Sequence, residues 1–94
     1  MPYVIVAYDI SDDRKRATIC DKLKSMGFSM AQRSVYIARG GSPLAKDAAR
    51  ALQRIIDGSR DSILIMTIPR DVLEKAIVLG VNRVKLDEHS YTVI

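Results

Sequence analysis

The chain of 94 residues predicts an α+β fold in which two helices lie on one face of an antiparallel sheet. Three observations carry that expectation. The apolar runs VIVA near the start and SILIMTI after Asp61 show no alternation, as in strands covered on both faces. Between them, Ile19-Cys20-Leu23-Met26 and Ala45-Ala48-Ala49-Leu52-Ile55-Ile56 recur at helical spacing. A third extended stretch, residues 28–39, separates the two helical patterns.

The first strand is expected over residues 3–8, short and rich in Val and Ile. Ser11 is the expected N-cap of the first helix, with Asp12 and Asp13 in its first turn, where the helix dipole favours negative charge. The Glu or Gln of a capping box is replaced by Arg14. Gly27 follows as the C′ residue. Residues 28–39 are expected as strand, broken or bulged near Arg33–Ser34, and Gly40-Gly41 as a turn. Ser42 is expected to cap the second helix with Pro43 at its first position, and Gly58 to close it. Pro69 stops the SILIMTI strand. Residues 75–79 (KAIVL) read as a further strand after a turn at 69–71, the alternative being a helix continuing from Asp71. Residues 91–94 suit a last short strand.

The order β-α-β-β-α-β plus one strand is the ferredoxin-like split βαβ arrangement. Its sheet leaves one face bare, and a second copy of the chain is the simplest cover, making a two-fold homodimer. The expected organisation is a domain of residues 1–80, including a dimer strand at 75–79, and a tail of residues 81–94 suited to docking a partner.

Hydrophobic residues make up 48% and charged residues 28%, an ordinary globular balance. A domain this small buries only about 60–65% of its unfolded surface, which again favours a partner subunit. The formal net charge of +4 admits a polyanionic partner such as nucleic acid. Cys20 is the single cysteine, so no disulfide forms within the chain, and a reduced thiol in the cytoplasm is expected. The run at residues 4–7 lacks a basic region before it, unlike a signal peptide. No apolar segment approaches the ~18 residues that span a bilayer, so no membrane association is expected.

The stretch VIVAYDISDDRKR asks why a buried strand should end on a carboxylate beside a basic helix start. Spacing alone leaves two readings of Asp9: a metal ligand, or a carboxylate capping the helix that follows. Tyr8 packs in the core or orients the site. Arg16, Arg33 and Arg39 are candidate phosphate contacts, each with a solvated side chain as the alternative. Ser34 and Tyr36 are candidate phosphate donors, with Tyr36 equally able to pack in the sheet. The lone histidine, His89, reads as a solvated tail residue. Cys/His metal spacing, a Gly-rich phosphate loop and an aromatic stacking platform are all missing.

Three blocks in order, YDISDD with its basic first helical turn, QRSVY after Gly27-Phe28, and DSILIMTIP leading to KAIVLG, resemble the small CRISPR-associated endoribonuclease family. This is the smaller of the two near-universal CRISPR adaptation proteins. The resemblance covers about residues 3 to 80. It implies a ferredoxin-like fold, a homodimer, and Mg²⁺ or Mn²⁺ held by Asp9 from both subunits. It also implies work beside the CRISPR integrase in spacer acquisition, with phosphodiester hydrolysis of RNA or double-stranded DNA. Arg16 matches the family's helix-one arginine. Thr18 and Met30 stand where the family often has a basic residue. A thin catalytic set favours a rival reading, a non-catalytic dimeric scaffold for the integrase. A third class, a regulator binding a small ligand between subunits, leaves the basic charge without a role.

Overall fold

The apolar run at the start of the chain forms β1, Tyr3–Asp9. The structure, a computed structural model, describes residues 1–81 and, as backbone alone, residues 92–93. After β1 come α1 (Asp13–Ser25), β2 (Ser29–Gln32), β3 (Val35–Arg39), α2 (Ser42–Leu52) and β4 (Ser62–Ile68). The sheet order β2-β3-β1-β4 puts β1 in the middle, antiparallel to both neighbours. This is the ferredoxin-like arrangement expected. The non-alternating β1 is explained by its position: Val4 and Val6 are fully buried beneath the helices, and Tyr3 on the opposite face is also buried.

The main core lies between sheet and helices and joins Val4, Val6, Ile19, Leu23, Phe28, Tyr36, Ala48 and Leu52. The end of α1 feeds it directly. Phe28 N donates to Leu23 O at 3.0 Å and Gly27 N to Lys24 O at 3.1 Å, with Gly27 at φ 93°. This is a Schellman closure, which needs a left-handed residue at the place where Gly27 stands. Its hydrophobic pair, Leu23 and Phe28, enters the core together.

Several expected boundaries move. The N-cap of α1 is Asp12, not Ser11: Asp12 Oδ1 accepts from Lys15 N at 2.8 Å, and a carboxylate there also meets the helix dipole. Gly41 takes the N-cap of α2, leaving Ser42 and Pro43 as its first two residues. Pro43 fits there because first-turn amides have no intrahelical partner to lose. The helix ends at Leu52 rather than running to Gly58, since Leu52 O accepts from both Ile55 N and Ile56 N and the chain unwinds into turns. Residues 28–39 resolve into two paired strands, with the turn at Arg33–Ser34 and a register shift between Met30 and Gln32.

The reading of residues 69–79 is also corrected. A short helix, α3 (Arg70–Glu74), occupies part of the segment, and the strand shrinks to β5 (Ile77–Val78). Pro69 does not make a reversal. Its carbonyl accepts from Val72 N and Leu73 N, both at 3.2 Å, and opens the helix. Arg70 Nε donates to Glu74 at 2.6 Å one turn on, and Leu73 closes a second core with Tyr3, Ala31 and Ile37. β5 pairs in parallel with β6 (Thr92–Val93). Otherwise the tail of residues 82–94, His89 included, lies outside the described residues.

One ion pair braces the start of α1 against β4. Lys15 Nζ donates to Asp61 Oδ2 at 2.8 Å, and Asp61 also accepts from Asp57 N at 2.8 Å, with its side chain only 4% exposed. The Lys15 ammonium first, and the Asp57 amide second, hold the Asp61 carboxyl below its usual range. A lowered pKa stabilises the fold above the ordinary carboxylate value of about 3.9 and ceases to do so as pH falls through the lowered one. Asp61→Asn is therefore expected to lower Tm at pH 7. In thermal melts across pH, the gap to the unmodified chain should close below about pH 4. A gap that persists unchanged at pH 2–3 would assign the loss to packing instead.

Candidate functional site

The end of β1, the turn after it, the first half of α1 and the β2–β3 turn converge on a cleft of ≈ 560 Å³. Tyr8, Asp9, Arg16, Arg33 and Ser34, all singled out in the sequence, line it together. Ile10 of the turn joins them, and Asp13, Ala17 and Cys20 of α1 add to the wall. Those three were not assigned to a site from the sequence, yet their signal was present: positions 13, 16, 17 and 20 share one face of a helix.

Asp9 ends the double-paired strand opposite Ser62. Its side chain is exposed and has no hydrogen bond or ion pair among the described residues. The helix cap is made by Asp12, so capping is not what Asp9 does. Alternation along β1 puts Asp9 on the face carrying Tyr3 and Ile5, away from the main core.

The other carboxylate of the cleft, Asp13, is engaged. It pairs with Arg16 Nη2, while Arg16 Nη1 donates to Ile10 O at 2.9 Å and to Ser11 O at 3.2 Å. Arg33 sits exposed in the β2–β3 turn with no ion pair among the described residues. Beside it Ser34 has φ 67°, the one positive value outside glycine among the described residues. That left-handed bend lets Ser34 O accept from Tyr8 N at 3.0 Å, so the turn is tied to β1.

Tyr8 points to the helix side. Its hydroxyl lies 3.0 Å from Cys20 Sγ, and its ring stacks on Tyr36 with centroids 6.2 Å apart. Burial, then the Cys20 contact, pushes the Tyr8 phenol up to about 12. Burial likewise raises Tyr36. Both phenols are neutral donors at neutral pH, not bases. Tyr36 is 3% exposed and belongs to the core rather than to the cleft wall. Arg39 is opposite Tyr3, at the far end of β1 from Asp9, about 20 Å along the strand.

Among the described residues no group of three His, Cys, Asp or Glu is placed to hold a metal ion. The cleft instead offers one free carboxylate, a guanidinium, a hydroxyl and a phenol, a set suited to a phosphate and a hard cation sharing oxygens. No helix of the described residues is long and apolar enough to cross a membrane.

The chain matches the model of a family described as CRISPR associated protein Cas2 over residues 1–76. It is 54% identical to a CRISPR-associated endoribonuclease Cas2 of Aeropyrum pernix, over 85% of this chain and 87% of that protein. It is 33% identical to part of a CRISPR-associated endonuclease Cas1/endonuclease Cas2 fusion of Thermoproteus tenax, over 80% of this chain and 28% of the fusion. Among solved structures, a hypothetical protein of Thermus thermophilus superposes with a TM-score of 0.74 at 32% identity, covering 87% of this chain and 94% of that one.

The raised phenols give a test of the cleft's inner wall. A group whose pKa rises on folding stabilises the fold fully below its unfolded value and loses that effect as pH climbs through the folded one. Ultraviolet titration is expected to show Tyr8 ionising near 12 in the folded chain, against about 10 when unfolded. Tyr8→Phe should remove one late-ionising phenol and soften the fall of Tm above pH 10. Four tyrosines all titrating near 10 in the folded state would contradict this geometry.

Proposed function

The chain belongs to the CRISPR associated protein Cas2 family, and from that premise we propose that it is a homodimeric, metal-dependent endonuclease of CRISPR adaptation, acting on RNA. The observation that carries the proposal is Asp9, an exposed carboxylate with no partner among the described residues, at the rigid end of the central strand and in one cleft with Arg33 and Ser34. The endoribonuclease name of the Aeropyrum pernix relative supports the substrate class.

The donor set fits Mg²⁺ or Mn²⁺. Mg²⁺ keeps several waters and is commonly held by one or two carboxylates together with phosphate oxygens. Asp9 would be the protein's ligand, and the partner's Asp9 the second. When bound, the metal supplies neutralisation of the charge developing on the phosphate and acidifies an attacking water. Arg33 binds a phosphate oxygen at the rim, and Ser34 donates to a neighbouring one. Tyr8, held neutral, orients the wall rather than removing a proton. With Asp13 tied to Arg16 no further side chain of the cleft among the described residues stands ready as general base, so turnover is expected to be slow.

The homodimer rests on the face that carries Asp9. Leu64 is 57% and Met66 41% exposed, on the edge strand of the sheet. An apolar edge strand invites pairing with another chain, and a second copy would bring two Asp9 carboxylates toward one axis. The integrase is the further partner, supported by the Thermoproteus tenax protein in which the two are fused. A second reading, a non-catalytic scaffold for the integrase, is favoured by the engagement of Asp13, which leaves one free carboxylate in each cleft.

Cleavage of RNA and duplex DNA, with Mg²⁺ and with chelator, tests the two readings. Asp9→Asn is expected to reduce cleavage to the chelator background while changing stability by less than about 0.5 kcal/mol, since the side chain is exposed and unpaired. Equal cleavage by the variant would remove Asp9 from the site. No cleavage of either substrate by the unmodified chain would leave the scaffold.

For the interface, Leu64→Lys is expected to yield folded monomers by sedimentation, because Leu64 already faces solvent in the single chain. A dimer that survives it would move the interface elsewhere.

A further inference from the structure

The family resemblance casts Arg16 as a phosphate contact, but its geometry points inward. The guanidinium reaches back from the first turn of α1 across the β1–α1 turn. Nη1 donates to the carbonyls of Ile10 and Ser11, the two residues that follow Asp9, and Nη2 pairs with Asp13. Three of the five guanidinium donors are thereby directed into the protein's own chain. Arg16 is also less exposed, at 38% of its side chain, than the Asp13 it pairs with, at 87%.

These contacts fall where the sheet stops helping. Up to Asp9 the backbone is held by β4, the last pair being Asp9 with Ser62. Past Asp12 it is held by the capped helix. The residues between lie outside both, and Ile10 O and Ser11 O are carbonyls that a strand or helix would otherwise have satisfied. A planar, forked cation suits the task, since one rigid group spans two carbonyls and a carboxylate.

We infer that Arg16 is a positioning residue: it clamps the turn after Asp9 and so fixes the direction in which that carboxylate is presented, leaving phosphate contact to Arg33. The functional half of this inference rests on the metal role proposed for Asp9. The clamp itself rests only on the hydrogen bonds.

The charge makes the inference testable. If Arg16 acted on the cleft only as a charge, removing it would tighten binding of a cation nearby, because like charges repel. If it acts as a clamp, removal loosens Asp9 and weakens that binding. Arg16→Ala and Arg16→Lys serve as paired variants; the lysine keeps the charge and most of the stem, and carries the same readouts should the alanine variant fail to fold. Three measurements apply, none of them cleavage. Backbone ¹⁵N order parameters over residues 9–12 are expected to fall from about 0.85 toward 0.6 in both variants. Mn²⁺ affinity without nucleic acid, read by electron paramagnetic resonance, should drop on the order of tenfold, as it does when a group supporting a metal ligand is lost. The slope of log affinity against log salt for single-stranded RNA, measured in chelator, should stay at the unmodified value.

Order parameters that remain at the unmodified value overturn the clamp. So does a salt slope that falls by about 0.7, the signature of one lost phosphate contact on a single strand. Tighter Mn²⁺ binding by Arg16→Ala likewise overturns it. An unmodified chain that binds no Mn²⁺ refutes the metal reading of Asp9, and the order parameters then decide the clamp by themselves.

Discussion

The hydrogen bonding of β1 on both of its edges is the constraint on which the rest of the molecule depends. Its residues pair with β3 from Tyr3 to Ala7 and with β4 from Tyr3 to Asp9. A strand held on two sides has little freedom of position or twist, and its alternation sends side chains to two different cores. Val4 and Val6 anchor the helical layer, and Tyr3 anchors α3 on the opposite face. Asp9 is the last residue of the ladder with β4, two positions past the ladder with β3, where the sheet ends and the cleft begins.

The run of acids and cations that follows looks in the sequence like a reservoir of charge for a ligand. In the fold most of it is used internally. Asp12 caps α1, Lys15 binds Asp61, and Asp13 binds Arg16. Once these pairs are made, Asp9 is left at the mouth of the cleft as the carboxylate without a partner among the described residues. A buried strand therefore ends on a carboxylate beside a basic helix start for two reasons. Arg16 secures the turn while Asp12 caps the helix, and Asp9 is the acid of the run with no hydrogen bond or ion pair among the described residues.

The second face of the sheet explains the shape of the assembly proposed. Leu73 covers only part of it, over Tyr3, Ala31 and Ile37. Leu64 and Met66 stay exposed on the edge strand, and Ile77, Leu79 and Val81 further along the chain are exposed at 65%, 70% and 77%. Asp9 lies on that face by strand alternation. A partner covering that face would approach Asp9 as well, which is why the proposed dimer and the proposed site stand or fall together.

The sequence alone determined the ladder of elements, because unbroken Val/Ile runs, helical stripes and the Gly27 terminus are local patterns whose physics does not depend on distant neighbours. It also brought Tyr8, Asp9, Arg33 and Ser34 into view, since a strand end and a turn are legible from short motifs. Boundaries were less legible. Ser11 against Asp12 as cap, and the end of α2, turn on single hydrogen bonds between groups of similar propensity. The helix at Arg70–Glu74 was hidden because five residues hold no helical period, and Leu73 stabilises it only by docking on Tyr3 and Ile37 from elsewhere in the chain. Tertiary structure alone sorted the charges. Lys15 meets Asp61 across 46 positions, Tyr36 turns inward onto Tyr8, and Arg39 stands at the opposite end of the strand from Asp9. Composition lists which charges a chain has, but which remain unpaired depends on distances that exist only after the sheet has closed.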